Sequence, residues 1–290
     1  MFGFEIKVLQ FLEGLRNGFL IKLFELITML GEETVVILFI VALWFAFDKK
    51  LAQRIFFVTV TSAGVNSIVK NLVKIPRPWT TGKVTAVRQS TATGYSFPSG
   101  HSQSFASWST MVALQVKKRW VSVTVAVLAL LVGFSRLFLG VHYPSDVVAG
   151  LAIGVGLAFL GNYLFDKVEN KQILYIGAAL LMTPFLIFFM FEASELFRGF
   201  YKAYGMMWGL GAAVAFEDKY APTSYDVPWW KKLLRILIGV AFAFALKEGI
   251  KLLYLFDSIR VIFLLDTFRY FAMVFVVGGI CPWIFKKCKL

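Results

Sequence analysis

The chain holds two histidines, His101 and His142, and each stands in a short polar segment of an otherwise apolar sequence. The first segment covers residues 98–101, and the second covers residues 135–146 and ends in an aspartate. A third polar segment, residues 70–78, lies upstream with the spacing Lys-x6-Arg-Pro. Imidazole is the side chain best suited to proton transfer or nucleophilic attack near neutral pH. Two imidazoles among cations and a carboxylate therefore indicate a site for phosphoryl transfer.

The cationic residues of these segments suit an anionic ligand. Lys70, Arg77 and Arg136 can supply fixed positive charge and forked donors to the oxygens of a phosphate group. Ser99 and Gly100 stand at the start of a predicted helix, where unpaired N–H groups and the helix dipole favour an anion. Gly100 also lets the backbone approach a phosphate closely. We therefore predict these five residues as the phosphate-binding set.

The spacing within the second histidine segment suggests how the two imidazoles divide their work. Asp146 follows His142 by four residues, so both side chains share one face if a helix starts near Pro144. The carboxylate can then hold one ring nitrogen and leave the other free to attack phosphorus, which is the orienting logic of a catalytic triad. We predict His142 as the nucleophile, Asp146 as its orienting residue and His101 as the general acid and base.

Each segment also has a purely structural interpretation. Lys70 can extend toward water from a helix end, and Arg77 can end a helix because a proline follows it. Ser99 can cap a helix, and His142 can lie at a membrane interface without any chemical role. These interpretations explain the segments singly, but they do not explain why all three converge on one membrane face, as the topology below predicts.

A metal site is a further alternative. Two histidines and an aspartate can hold iron or form part of a zinc site. The three cations expected in the same pocket would repel a metal ion. We therefore expect no metal and no other cofactor at this site.

Composition points to a membrane protein. The chain has 290 residues, of which 59% are hydrophobic and 16% are charged, whereas soluble chains are about 25% charged. Uncharged apolar runs such as 173–191 are long enough to cross a bilayer as helices, which takes about 20 residues. The net charge of +13 comes mostly from short connectors, so we interpret it as membrane topology and expect no nucleic-acid partner. The predicted class is an all-α, polytopic transmembrane helical bundle.

The hydropathy pattern divides the chain into three parts. Residues 1–30 contain an amphipathic helix over 4–29, either interfacial or packed against the bundle. Residues 31–191 form a six-span core, and residues 192–290 add about three more spans. The nine predicted spans are 31–47, 52–75, 100–116, 120–138, 145–165, 172–191, 201–216, 232–256 and 261–285.

The positive-inside rule predicts the sidedness of these spans. Basic residues gather in every second connector and at the C-terminus, which places those segments in the cytoplasm. The chain crosses the membrane twice between His101 and His142, so both histidines lie on one side. All three polar segments are therefore expected at the extracytoplasmic face of the plasma (inner) membrane.

The three segments resemble the signature of the type 2 phosphatidic acid phosphatase superfamily, and the resemblance covers roughly residues 50–165. It implies a helical bundle, with six spans in membrane members, that removes phosphate from lipid phosphates or diphosphates. It also implies a phosphohistidine intermediate and no metal cofactor. The residues that match the signature are Lys70, Arg77, Pro78, Pro98, Ser99, Gly100, His101, Ser135, Arg136, His142 and Asp146.

Charged residues also occur within or near the last two predicted spans. They are either functional, as intramembrane charges often are, or paired with one another, and the sequence leaves both interpretations open. The residues concerned are Lys247, Glu248, Lys251, Asp257, Arg260, Asp266 and Arg269.

The sequence as a whole predicts an integral-membrane lipid phosphatase whose partner is a lipid substrate in the bilayer. An undecaprenyl diphosphate-type polyprenyl carrier is the first expectation, because recycling of that carrier needs dephosphorylation on the extracytoplasmic face. Phosphatidylglycerol phosphate, phosphatidic acid and sphingoid phosphates are the alternative substrates. A non-hydrolytic phosphate or phospholipid transporter and a lipid phosphotransferase are the alternatives of another class, and the oligomeric state is left open.

Overall fold

The protein is helical throughout the part described by a computed structural model, which covers residues 3–192, 194–255 and 258–290. No strand occurs in these ranges, which confirms the predicted all-α class. Asp257 lies outside the described residues. The α-helices are α1 Gly3–Gly14, α2 Gly18–Met29, α3 Glu33–Ala42, α4 Lys49–Val73, α5 Gly100–Val116, α6 Arg119–Phe138, α7 Pro144–Lys167, α8 Lys171–Glu192, α9 Arg198–Tyr220, α10 Trp229–Gly249, α11 Ile259–Phe275 and α12 Cys281–Lys287.

Several of these helices can cross a membrane by length and composition. Five segments meet this condition within the described residues. A sixth is formed by α2 and residues 33–47, if these two helical segments, which are bent by 47° relative to each other, count as one span. Helix α5 has 17 residues and is shorter than these segments. A helix occurs at each of the nine predicted spans, while the number that cross the bilayer stays a prediction. The five segments are Lys49–Thr81, Arg119–Phe138, Pro144–Lys167, Lys171–Glu192 and Ile259–Lys287.

The prediction of one helix over residues 4–29 is wrong. The chain forms two helices there, because Asn17 leaves the helical conformation and its side chain accepts the N–H of Leu20 at 2.9 Å. Asparagine is among the residues most favoured as a helix N-cap. Neither helix is isolated, since Leu9 of α1 is buried and Phe24 of α2 packs on Phe138 with ring centroids 4.4 Å apart.

The chain divides into two compact units, which are described separately. The first consists of residues 1–36 and 65–162, and the second consists of residues 37–64 and 163–290. The predicted domain bounds at residues 30 and 191 stay a prediction.

In the first unit, α5 and α6 form an antiparallel hairpin, and α7 packs closely against α5. Lys117 ends α5 with a left-handed conformation (φ 55°), which allows the tight connection to α6. A Cβ atom on Gly150 would lie 2.6 Å from the carbonyl oxygen of Ser99, and one on Gly154 would lie 2.5 Å from that of Gln103. Small residues at this spacing let helix backbones approach. The start of α7 therefore lies beside the start of α5.

In the second unit, a buried carboxylate organises the charges of the last helices. Asp266 is fully buried in α11 and accepts from Arg198 Nε at 2.8 Å and from the Tyr254 hydroxyl at 2.5 Å. Arg269, three residues further along α11, contacts the same carboxylate at 2.9 Å. Burying a charge is unfavourable unless it is paired. Ion pairing therefore accounts for Asp266 and Arg269 without a further role.

Candidate active site

The three polar segments converge within the first unit. Because α5 and α6 are antiparallel, the start of α5 and the end of α6 lie at the same end of the hairpin, next to the start of α7. The predicted residues occupy these ends: Lys70 in the last turn of α4, Arg77 in the loop before α5, Ser99 at the N-cap of α5, Gly100 and His101 in its first turn, Arg136 in the last turn of α6, His142 just before α7 and Asp146 in its first turn.

The His142–Asp146 pair has the geometry that the spacing predicted. Helix α7 begins at Pro144, and His142 Nδ1 lies 3.1 Å from Asp146 Oδ2 with both side chains buried. The same carboxylate oxygen accepts the N–H of Tyr143 at 2.8 Å and the hydroxyl of Ser96 at 2.5 Å. These two donors fix the carboxylate, which in turn holds the proton on Nδ1 and leaves a lone pair on Nε2.

Arg77 lies directly on that lone pair. Its Nη1 is 2.8 Å from His142 Nε2 and also donates to the carbonyl oxygen of Val141 at 3.0 Å. Its Nε and Nη2 donate to the carbonyl oxygens of Gly94 and Thr93 at 2.9 and 2.6 Å. For His142 to attack a phosphorus atom, Arg77 must give up its bond to Nε2, and a phosphate oxygen is a suitable acceptor in exchange.

The protonation state of His142 follows from its surroundings. Burial, together with the positive charges of Arg77 and Lys70, lowers the pKa of His142 well below its ordinary value. The imidazole is therefore neutral near pH 7, which is the form that can act as a nucleophile.

Arg136 and His101 present buried donors to the same region. Arg136 Nη1 donates to the hydroxyl of Thr28 at 2.8 Å, while its Nε and Nη2 have no hydrogen-bond partner among the described residues. His101 Nε2 is likewise buried without one in that part of the chain. A buried polar group left unpaired costs about 1–3 kcal/mol, and such groups in a native structure call for an explanation. A bound anion would pair the Arg136 donors.

Lys70 is engaged with the loop before α5. Its Nζ donates to the carbonyl oxygens of Tyr95 and Ser96, the latter at 3.2 Å. This contact ties the loop to the end of α4 and places a positive charge near Asp146, whose carboxylate the same loop contacts through Ser96. The predicted role of Lys70 in phosphate binding remains a prediction beside this structural one.

Ser99 and Gly100 form the beginning of α5. The Ser99 hydroxyl lies 2.9 Å from the Ser102 hydroxyl and accepts the Ser102 N–H at 3.5 Å, so it serves as the N-cap. A Cβ atom on Gly100 would lie 3.4 Å from the side-chain oxygen of Asn66, on α4. The predicted role of Ser99 and Gly100 in phosphate binding remains a prediction beside this structural one.

Three residues of the site were missed by the sequence analysis. Ser96 and Thr28 contact Asp146 and Arg136 as described above, and Glu32 lies beside the general-acid candidate. Glu32 Oε1 is 2.7 Å from Arg88 Nη2 and 3.9 Å from His101 Nε2. An acidic residue that interrupts an apolar stretch was the available signal for Glu32, but its target depends on the bend between α2 and α3. No local sequence pattern distinguishes Ser96 or Thr28 from other hydroxyl residues of the chain.

The donor set of the site suits an anion. Arginine, lysine and imidazole groups surround the position that His142 Nε2 faces, and they complement phosphate oxygens. Within the described ranges no group of three or more His, Cys, Asp or Glu residues is arranged to hold a metal ion. The arrangement can therefore bind a phosphate group and place a neutral imidazole against it.

Comparison with protein families gives two matches that together cover more than half of the chain. Residues 51–169 match the PAP2 superfamily, and residues 201–290 match the transmembrane extension of PAP2 superfamily phosphatases. The first match contains all the predicted site residues, whereas Thr28 and Glu32 precede it.

Individual proteins also resemble the chain. An undecaprenyl-diphosphatase from Sulfolobus acidocaldarius is 26% identical over 59% of this chain and 83% of its own length. A phosphatidylglycerophosphatase B from Bacillus subtilis is 36% identical over 26% of this chain and 42% of its own length. The crystal structure of a transmembrane PAP2 type phosphatidylglycerolphosphate phosphatase from Bacillus subtilis is 26% identical, covers 57% of this chain and 86% of its own, and has a TM-score of 0.49.

Proposed function

The chain belongs to the PAP2 superfamily, whose members similar to it are membrane lipid phosphatases, and we propose that it hydrolyses a lipid phosphate or diphosphate through a phosphohistidine on His142. The observation that carries this proposal is the buried His142–Asp146 pair. His142 Nδ1 lies 3.1 Å from Asp146 Oδ2, and His142 Nε2 faces the guanidinium of Arg77. A site that only binds phosphate needs the cations but has no use for an oriented imidazole.

In the first step, His142 Nε2 attacks phosphorus and the bond from phosphorus to the leaving oxygen breaks. His101 donates its proton to that oxygen, so the lipid alcohol or lipid monophosphate leaves uncharged at this position. Arg77 moves its donation from Nε2 to a phosphate oxygen, and Arg136 supplies its two unpaired donors to the others. Asp146 stabilises the positive imidazole ring that forms.

In the second step, His101 is neutral and takes a proton from a water molecule. The resulting hydroxide attacks phosphorus, the bond to His142 breaks, and inorganic phosphate leaves. Neither step needs a metal ion, because the charge that develops on the phosphate oxygens is met by Arg77 and Arg136. Activity is therefore expected to persist in the presence of a chelator.

A polyprenyl diphosphate of the undecaprenyl type is the proposed substrate. The match to the Sulfolobus undecaprenyl-diphosphatase over 83% of that protein supports this choice. Lys70, Arg77, Arg136 and Arg88 surround the site, and a diphosphate brings more negative charge to meet them than a monoester does. Phosphatidylglycerol phosphate is the competing substrate, supported by the shorter match to the phosphatidylglycerophosphatase B.

We propose that the site faces the extracytoplasmic side and that the C-terminus is cytoplasmic. The basic residues of the connector 117–119 lie at the opposite end of the α5–α6 hairpin from His101 and Arg136. Helix α5, with 17 residues, separates the two ends by about 25 Å, which is most of a hydrocarbon core. Basic connectors are cytoplasmic under the positive-inside rule. Right-side-out vesicles should then hydrolyse a phosphate ester that cannot cross the membrane.

The test is phosphate release by the detergent-solubilised full chain, with chelator present, across lipid phosphates and diphosphates. The wild type should release phosphate and form an alkali-stable phosphoprotein, and His142→Ala should do neither. Release by His142→Ala at the wild-type rate contradicts the mechanism. Binding of lipid phosphate without any release identifies a transporter, and a phosphorylated product in place of free phosphate identifies a phosphotransferase.

A further inference from the structure

A carboxylate outside the part of the chain that matches the phosphatase family lies next to the proton donor of the proposed reaction. We propose that Glu32 is a positioning residue for His101, which it pairs with when that imidazole is protonated and about to protonate the leaving oxygen. The inference rests on the proposed function, because it assigns a partner to the general acid of that reaction. It concerns a residue that precedes the family match, which begins at residue 51.

The geometry places Glu32 at ion-pair distance from the unpaired nitrogen of His101. Glu32 Oε1 lies 3.9 Å from His101 Nε2, which is about 1 Å longer than an N–H···O hydrogen bond. His101 Nε2 is buried and has no hydrogen-bond partner among the described residues. A small rotation of the two side chains closes the gap once Nε2 carries a proton, and Nδ1 is then the ring nitrogen that gives its proton to the leaving oxygen.

Gly31 and Arg88 hold Glu32 in this position. A Cβ atom on Gly31 would lie 2.7 Å from the carbonyl oxygen of His101 and 3.0 Å from its Cα, so this contact needs glycine. Arg88 donates to Glu32 Oε1 at 2.7 Å and to the carbonyl oxygen of Glu25 in α2 at 3.1 Å. The bend between α2 and α3 is thereby fixed against the start of α5.

The balance of charge around His101 explains why a carboxylate is needed. The charged groups that act on its imidazole are Arg136 from α6, Arg77 from the loop before α5 and Glu32 from the α2–α3 connection. Burial and the two arginines oppose protonation of the ring, and Glu32 favours it. Without Glu32, the general acid would have to carry its proton among guanidinium groups alone.

This role predicts an effect that depends on the leaving group. A poor leaving group such as an aliphatic alcohol needs its oxygen protonated as the bond breaks, whereas nitrophenol leaves without help. Glu32→Gln removes the charge but keeps an oxygen that can accept from Arg88, so the local structure is preserved. In single turnovers, release of the alcohol from a long-chain alkyl phosphate should fall about 100-fold, and release of nitrophenol from nitrophenyl phosphate should change less than about threefold.

Controls separate this role from a structural one. His101→Ala should show the same dependence on leaving group, and Glu33→Gln, which removes an exposed carboxylate one residue further on, should match the wild type on both substrates. Equal losses on the two substrates, or no loss on either, would overturn the proposal. If Glu32→Gln is not recovered folded, Glu32→Asp is assayed on the same two substrates. A larger loss on the alkyl phosphate than on nitrophenyl phosphate supports the proposal, and equal rates of loss oppose it. A wild type that releases neither product contradicts the proposed function instead.

Discussion

Replacement of Asp146 by asparagine tests the proposed chemistry most directly. Asp146 Oδ2 accepts three donors, from His142 Nδ1, the Tyr143 N–H and the Ser96 hydroxyl. Asparagine keeps the volume but loses the charge, and its amide group can donate to Nδ1 instead of accepting from it. The proton of the imidazole then moves to Nε2, which is the atom that has to attack phosphorus.

The size of the effect follows from this change of tautomer. The corresponding change in a serine protease triad lowers kcat by about 10⁴-fold, which is about 5.5 kcal/mol in the activation free energy. Arg77 Nη1, at 2.8 Å from Nε2, also opposes a proton on that atom and moderates the change. We therefore expect Asp146→Asn to lower the rate of phosphohistidine formation by about 10³- to 10⁴-fold. KM should change less than about threefold, because the carboxylate does not contact the substrate.

The assay is single-turnover formation of the phosphoenzyme from a lipid phosphate, quenched in alkali, together with steady-state phosphate release. Ser96→Ala removes one donor and keeps the carboxylate, so it should cost about tenfold in rate. Ser109→Ala is the matched control, since that buried hydroxyl donates within α5 to the Phe105 carbonyl oxygen at 2.6 Å. An Asp146→Asn rate within tenfold of the wild type would refute the assignment of nucleophile and orienting residue.

Three further outcomes are expected. Burial lowers the pKa of His142, and protonation of His142 removes the attacking lone pair, so the acid limb of the kcat/KM profile should lie below about pH 6.5. An acid limb above that value contradicts the argument. Thr28→Val removes the acceptor of Arg136 Nη1 and should raise KM for a lipid phosphate about tenfold with a smaller change in kcat; an unchanged KM argues against it. Gly150→Ala places a Cβ 2.6 Å from a backbone oxygen at the start of α5, so its Tm should fall as expected for a loss of about 1–3 kcal/mol in the free energy of unfolding. Gly156→Ala is the control and should keep the wild-type Tm, because a Cβ there meets open space.

The sequence predicted those features that depend on local spacing and on hydropathy. The helical class and the position of the helices follow from apolar runs, because a membrane helix must satisfy its backbone hydrogen bonds within itself. The His142–Asp146 contact follows from a spacing of four residues at the start of α7. The same local rules failed over residues 4–29, where Asn17 caps a second helix that the charge pattern did not reveal.

The tertiary structure decided which groups surround the reacting atoms. Glu32 lies 69 positions before His101 in the chain. It reaches His101 because Gly31, at the bend between α2 and α3, packs against the backbone of α5. Thr28 meets Arg136 across 108 positions for the same reason, since α2 packs on α6. Such contacts depend on how helices that are distant in sequence lie against one another, and no periodicity within one segment encodes them. The sequence by itself therefore predicted the candidate reacting residues and Asp146, while the fold determined which distant residues, such as Glu32 and Thr28, contact them.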